Sequence, residues 1–308
     1  MSDSETYAQV GDIKVRYERH DGPVDGPTFL LVHGLGGSLD NWASVVPLLT
    51  HRGSVVSLDL GGFGKTQVAP HRAAVSENLK LLHAFARQVI DGPVVLAGNS
   101  MGGLLSAQLA ARDPQLVSGA VLIDPAIPAV FRGYPHREVI RGFAMTTLPG
   151  LSRIAARRLA ASTVRQEVER TIAMVTSRFD NVDPAVIDRH VELSEYRLRN
   201  IRGAGPSFEA AARSLLAMLT QRKRYYSVVG RIQVPVLLLH GDRDKLVNVR
   251  CARALAKRNS SWTYIEGAGI GHTPMLDFPA WTAEQMLTWT DAKLGELRHT
   301  SKAPKTHP

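Results

Sequence analysis

Cysteine is almost missing from this chain: Cys251 stands alone among 308 residues. A disulfide framework within the chain is excluded, and a reducing, cytoplasmic setting is expected. No run approaches the roughly 18 apolar residues of a membrane span. Met1–Gln9 has no basic stretch followed by an apolar one, so a secretory signal is not expected either. Internal repeats are absent. Acidic residues are the scarcer sign, 28 against 37 Lys+Arg, for a formal charge of +9. The shortfall is local. Between Ala126 and Gly230 there are 17 Lys+Arg and 9 Asp+Glu, which accounts for +8 of it. Such a segment attracts anionic lipid, nucleic acid or an acidic substrate, or is simply a set of solvated arginine-rich helix faces.

What is present is ordinary globular usage, 44% hydrophobic and 21% charged, enough for a sizeable core. Tyr7–Gln9 and Ile13–Tyr17 flank Gly11-Asp12 and predict a hairpin. Short apolar runs at Thr28–Val32, Ser54–Leu58, Pro93–Ala97 and Gly119–Ile123 predict buried strands. Helical stretches at Asn41–Leu49, Ser76–Ile90 and Met101–Arg112 alternate with them, Ser76 being placed to cap the second. Strand–helix repetition implies a parallel sheet. From Pro128 to about Tyr226 the strands lapse and helices are expected at Leu151–Ala161, Val164–Arg178, Pro184–Leu198 and Phe208–Arg222, punctuated by Gly203-Ala204-Gly205-Pro206. The alternation resumes with strand Val234–His240, helix Arg250–Arg258, strand Trp262–Ile265 and helix Trp281–Leu294. The expected organisation is a core of 1–126 and 230–296, a helical cap of 127–229, and a disordered tail of 297–308.

Chemistry concentrates at the ends of these strands. Gly98-Asn99-Ser100-Met101-Gly102, a G-x-S-x-G, lies between a strand and a helix. Glycines there remove the Cβ clashes of a tight turn, lifting the Ser100 hydroxyl clear of the sheet. A serine needs a base to take its proton. His272, in the glycine-rich loop Gly267–Pro274 after a strand, is the candidate. An orienting carboxylate comes from Asp244, with Asp242 and Asp124 as alternatives. His33-Gly34-Leu35-Gly36-Gly37 follows another strand, and the backbone N–H groups of Leu35 and Met101 are the candidate oxyanion donors. Gly64-Lys65-Thr66 resembles the end of a phosphate loop, but Asp59 stands where that loop needs glycine and would repel phosphate.

These motifs, with Asp59-Leu60-Gly61-Gly62-Phe63-Gly64, resemble those of the α/β-hydrolase family over about Tyr17–Trp289, with Gly61 where a Pro or Arg is more usual. The resemblance implies a mostly parallel sheet flanked by helices with an inserted helical cap. It also implies a Ser100–Asp244–His272 triad and no metal or organic cofactor. The expected activity is cleavage of a small-molecule carboxylic ester, with an apolar acyl part near Phe143, Met145, Leu148, Met174, Phe208 or Met218. No nucleic acid partner is expected. The basic cap suits weak contact with an anionic membrane surface. Gly98–Gly103 also resembles the elbow of hydrolases that cleave carbon–carbon bonds in acidic dienoates. Gly37-Ser38 and Thr273 depart from that branch. A non-catalytic ligand-binding protein on the same fold is the third reading.

Overall fold

A computed structural model of the chain describes residues 6–129 and 162–301. Eight strands form one sheet: β1 Thr6–Val10, β2 Ile13–His20, β3 Thr28–Val32, β4 Ser54–Leu58, β5 Val94–Asn99, β6 Val117–Ile123, β7 Val236–Gly241 and β8 Thr263–Gly267. Their order is β1-β2-β4-β3-β5-β6-β7-β8. β2 runs antiparallel to β1 and β4, and all other pairs are parallel. The hairpin turn falls at Gly11-Asp12, where Gly11 takes φ +60°; a positive φ at the first turn residue suits the right-handed twist of the strands.

The central strands carry unbroken apolar runs because both their faces are covered. Leu30, Val32, Leu96 and Leu238 point into one buried cluster, and Phe29, Leu31, Val95 and Leu237 into the other. After β4 the chain returns to the opposite side of β3 to lay down β5. Strand order thus reverses at β3, and the crevice outside the carboxyl ends of β3 and β5 is where such sheets receive ligands. The His33–Gly37 and Gly98–Gly103 loops both open there.

Between β6 and β7 the described residues form helices Val164–Val175, Pro184–Asn200, Ala204–Thr220 and Arg222–Val229 and no strand. The expected helix Leu151–Ala161 and the candidates Phe143, Met145 and Leu148 lie outside the described residues. Polar clamps seat the insert on the strand ends. Arg189 bonds Asp40 at 2.8 Å and Glu18 at 2.7 Å. Arg197 bonds the carbonyls of Gly62 and Gly64.

Several local expectations shift. The helix predicted from Ser76 begins at Val75, and Ser76 does not cap it; the Val75 N–H bonds the Ser214 hydroxyl of the insert instead, at 3.0 Å. Asn41–Leu49 divides into a 3-10 turn, Leu39–Trp42, and a short helix, Val46–Thr50, with a proline in its first turn. Gly203 stands between two helices, as expected, but Ala204, Gly205 and Pro206 already form the first turn of the second, since proline costs nothing where N–H groups lack helical partners. The last helix runs Pro279–Ser301, past residue 297, where a disordered tail was expected. No helix among the described residues is long and apolar enough to cross a membrane.

Candidate active site

Ser100 sits between β5 and helix Met101–Arg112 at φ 54°, ψ −115°, a backbone region that costs a non-glycine residue about 1–3 kcal/mol. The turn is held from all sides. The Ser100 N–H bonds the Ile123 carbonyl at 3.1 Å, and the Ser100 carbonyl accepts from Ala126 at 2.9 Å. The flanking glycines are sterically required: a Cβ on Gly102 would run into the Val32 carbonyl, and one on Gly103 would lie 2.8 Å from Pro125.

His272 is 3% exposed. Its Nδ1 lies 2.8 Å from Asp244 Oδ2. Burial pushes the Asp244 carboxyl up, but His272, His240 and the Val247 N–H outweigh it, leaving the carboxyl below its ordinary value and therefore ionised at neutral pH. An ionised carboxylate only accepts, so Nδ1 carries the imidazole proton and Nε2 the lone pair. Asp244 Oδ1 is occupied by the N–H groups of Leu246 and Val247, at 2.7 and 2.9 Å. The His272 N–H bonds the Val175 carbonyl of the insert at 3.0 Å.

Sequence reasoning missed Asn99. Its side-chain amide donates to the His272 carbonyl at 2.8 Å and to the Ile123 carbonyl at 3.1 Å, tying the histidine loop to the residue beside Ser100. Its place inside the G-x-S-x-G was the available signal. Asp277, also missed, accepts the N–H groups of Ser177 and Arg178. Asp242, weighed as an alternative acid, braces the histidine loop, accepting the Gly269 N–H at 2.7 Å.

The His33–Gly37 loop lies against the elbow: a Cβ on Gly34 would stand 3.1 Å from the Ser100 Cβ. Leu35 follows within a turn closed by Gly37 N–H on the Gly34 carbonyl at 3.1 Å. Met101 is fully buried at the start of its helix, where N–H groups favour an anion. Phe208 reaches this loop, since a Cβ on Gly36 would lie 3.1 Å from its ring. Met218 packs against the core, and Met174 is 42% exposed, on the surface.

His33 braces the loop in one tautomer. Its Nδ1 donates to the Gly34 carbonyl at 2.7 Å, and its Nε2 accepts the Leu60 N–H at 3.0 Å. Burial lowers its pKa from 6.5 to about 4. Between those values the unfolded chain binds more protons, so this contribution to stability is lost as pH falls from 6.5 toward 4, on the order of 3 kcal/mol in all. Asp59 beside it has the opposite sign: burial, against the pull of Arg16, raises its carboxyl to about 6. The His33 contribution is therefore read by difference. The gap in melting temperature between wild type and His33→Asn should narrow from pH 7 to pH 5; a constant gap would show that His33 does not titrate there.

Asp124, Asp244 and His272 bring ligand-type atoms within 4.8 Å of one another. The Asp244 oxygens and His272 Nδ1 are already engaged with each other and with backbone N–H groups, so these two form a hydrogen-bonded pair with Asp124 close by.

Comparison with known proteins agrees with the fold. The family described as alpha/beta hydrolase fold matches residues 27–279. A 2-hydroxy-6-oxo-6-(2'-aminophenyl)hexa-2,4-dienoic acid hydrolase of Metapseudomonas resinovorans is 26% identical, over 89% of this chain and 87% of its own length. A monoacylglycerol lipase of Homo sapiens is 24% identical, over 91% of this chain and 80% of its own. Among solved structures, a loop variant of a haloalkane dehalogenase from Bradyrhizobium elkanii superposes with a TM-score of 0.75 at 21% identity, covering 96% of this chain and 99% of that one; at that identity it speaks for the fold alone.

Proposed function

The chain belongs to the alpha/beta-hydrolase fold family, and from that premise we propose that it is a serine hydrolase cleaving carboxylic esters through an acyl-enzyme. Ser100 Oγ attacks the ester carbonyl while His272 Nε2 takes its proton. Asp244 fixes the imidazole tautomer and offsets the imidazolium charge. The N–H groups of Leu35 and Met101 stabilise the oxyanion, each contributing about 3 kcal/mol to the transition state. The imidazolium returns the proton to the leaving alcohol, and water activated by the same histidine releases the acid.

The observation that carries this reading is the 2.8 Å His272–Asp244 bond on a loop whose carbonyl is tied to Asn99, next to the strained Ser100. Residues 127–229 act as a cap over this site in the same reading, with Phe208 beside the oxyanion loop as a wall for an apolar acyl part. The lone cysteine, buried in the core, fits a reducing compartment such as the cytoplasm.

Carbon–carbon cleavage of an acidic dienoate is the second reading. The 26% identical relative favours it, as does Asn99 within the elbow. Two insert arginines near the strand ends weigh against it. Arg189 is spent on Asp40 and Glu18, and Arg197 on two carbonyls, so neither is free to hold a substrate carboxylate. Turnover of a p-nitrophenyl acyl series beside a ring-fission dienoate decides. We expect ester turnover with a preference for longer acyl chains over acetyl. Dienoate turnover without ester turnover would overturn the ester reading.

A further inference from the structure

Asp124, at the end of β6, has no part in the reaction described above, yet its surroundings are short of one proton. It is fully buried and held at φ 43°, with its Oδ1 accepting the Gly241 N–H at 2.9 Å. Its Oδ2 is buried without a hydrogen-bond partner, and so is His240 Nδ1. His240 Nε2 lies 2.8 Å from the Val247 carbonyl. A carbonyl only accepts, so Nε2 carries a proton; burial lowers the pKa of the ring, which leaves it neutral, with its Nδ1 lone pair 3.5 Å from Asp124 Oδ1. An oxygen of the Asp244 carboxylate lies within 4.8 Å of an Asp124 oxygen, its own donors being Leu246, Val247 and His272. Asp277 adds a further carboxyl nearby. Asp124 thus faces acceptors with no hydrogen between them, an arrangement that a buried site does not sustain.

We infer that Asp124 is a positioning residue that carries its own proton and donates it from Oδ2 to the Asp244 carboxylate, so that the two acids form one hydrogen-bonded pair behind His272. The inference rests on the proposed role of Asp244. One proton satisfies the orphaned oxygen and replaces repulsion between two buried carboxylates with a charge-assisted hydrogen bond. Burial, and next the Asp244 charge, raise the Asp124 carboxyl well above the ordinary value, in the same direction. No proton is transferred in the reaction: it stays on Asp124. Its effect is to draw charge from Asp244, which weakens the pull of that carboxylate on an imidazolium at His272.

Two measurements test this. In infrared difference spectra at neutral pH, wild type should show a protonated-carboxyl C=O band that both Asp124→Asn and Asp124→Ala lack. Other buried acids are common to all three proteins and cancel. Absence of the difference band, as when His240 holds the proton as an imidazolium, overturns the inference whatever the activity. The second measurement is the pH profile of kcat/KM on a p-nitrophenyl ester. Asp124→Ala removes the donor and should lower the plateau about tenfold to a hundredfold and move the acid limb to higher pH. Asp124→Asn keeps an N–H donor and should recover most of the loss, with the limb returned. A plateau loss without movement of the limb would reduce Asp124 to a packing role and overturn the inference. The infrared band needs no turnover. Its presence in a protein that hydrolyses no ester would support the pair while removing the ester reading.

Discussion

Replacing Ser100 with alanine is expected to abolish ester hydrolysis, with a fall in kcat on the order of 10⁶, and to abolish labelling by a fluorophosphonate. The size follows from what remains. Asp244, His272 and the candidate oxyanion N–H groups stay in place, but without Oγ no acyl-enzyme forms, and only binding and oxyanion stabilisation are left, roughly 10³–10⁴ over water. The fold should survive, because Oγ is not among the groups that hold the turn. The bonds at Ser100 run through its backbone, to Ile123 and Ala126. Alanine must still adopt φ near 54°, so a small loss of stability is expected without unfolding. Unchanged labelling of the variant would place the nucleophile elsewhere.

Asp244→Asn should lower kcat about 10⁴-fold with little effect on the fold. The local bonds say why. Leu246 and Val247 both donate to Oδ1, so an asparagine there is obliged to put its carbonyl oxygen at that position. Its NH2 group then faces His272 Nδ1 and donates to it. The imidazole responds by moving its proton to Nε2, the nitrogen that must be unprotonated to accept from Ser100. Thermal unfolding near wild type with a collapsed kcat is the expected signature. A mild Asp244→Asn beside a damaging Asp124→Asn would reverse the roles of the two acids.

Sheet and elbow were legible in the sequence because both are local patterns. TFLLV and VLLLHG report burial on two faces without reference to any partner. Glycine at 98, 102 and 103 reports a turn that no Cβ fits. His272 was legible by its loop, and Asp244 by its position after β7. The parts that escaped are pairings across long stretches of chain. Nothing near Asn99 announces that it meets the carbonyl of His272, 173 positions on. Ser76 looked like a cap because its own neighbourhood suited one, whereas the N–H at the helix start is satisfied by Ser214, 139 positions from Val75. The pairing of Asp124 with Asp244 depends on β6 and β7 being neighbours in the sheet, and spacing alone left Asp124 as a rival to Asp244 rather than its partner.

The bond from the His272 N–H to the Val175 carbonyl limits how far the molecule is modular. Val175 ends the first described helix of the insert, and it also accepts from the Thr273 hydroxyl at 3.2 Å, while Ser177 and Arg178 are held by Asp277. An insert transplanted from a relative, or trimmed away, would take with it the acceptor for the amide of the proposed general base. Grafts that keep residues 175–178 and join on either side of them should retain turnover on small esters. Grafts that discard that tetrapeptide should lose it even on substrates too small to touch the rest of the insert, because the hinge of any exchange between relatives lies inside the insert and not at its borders with the sheet.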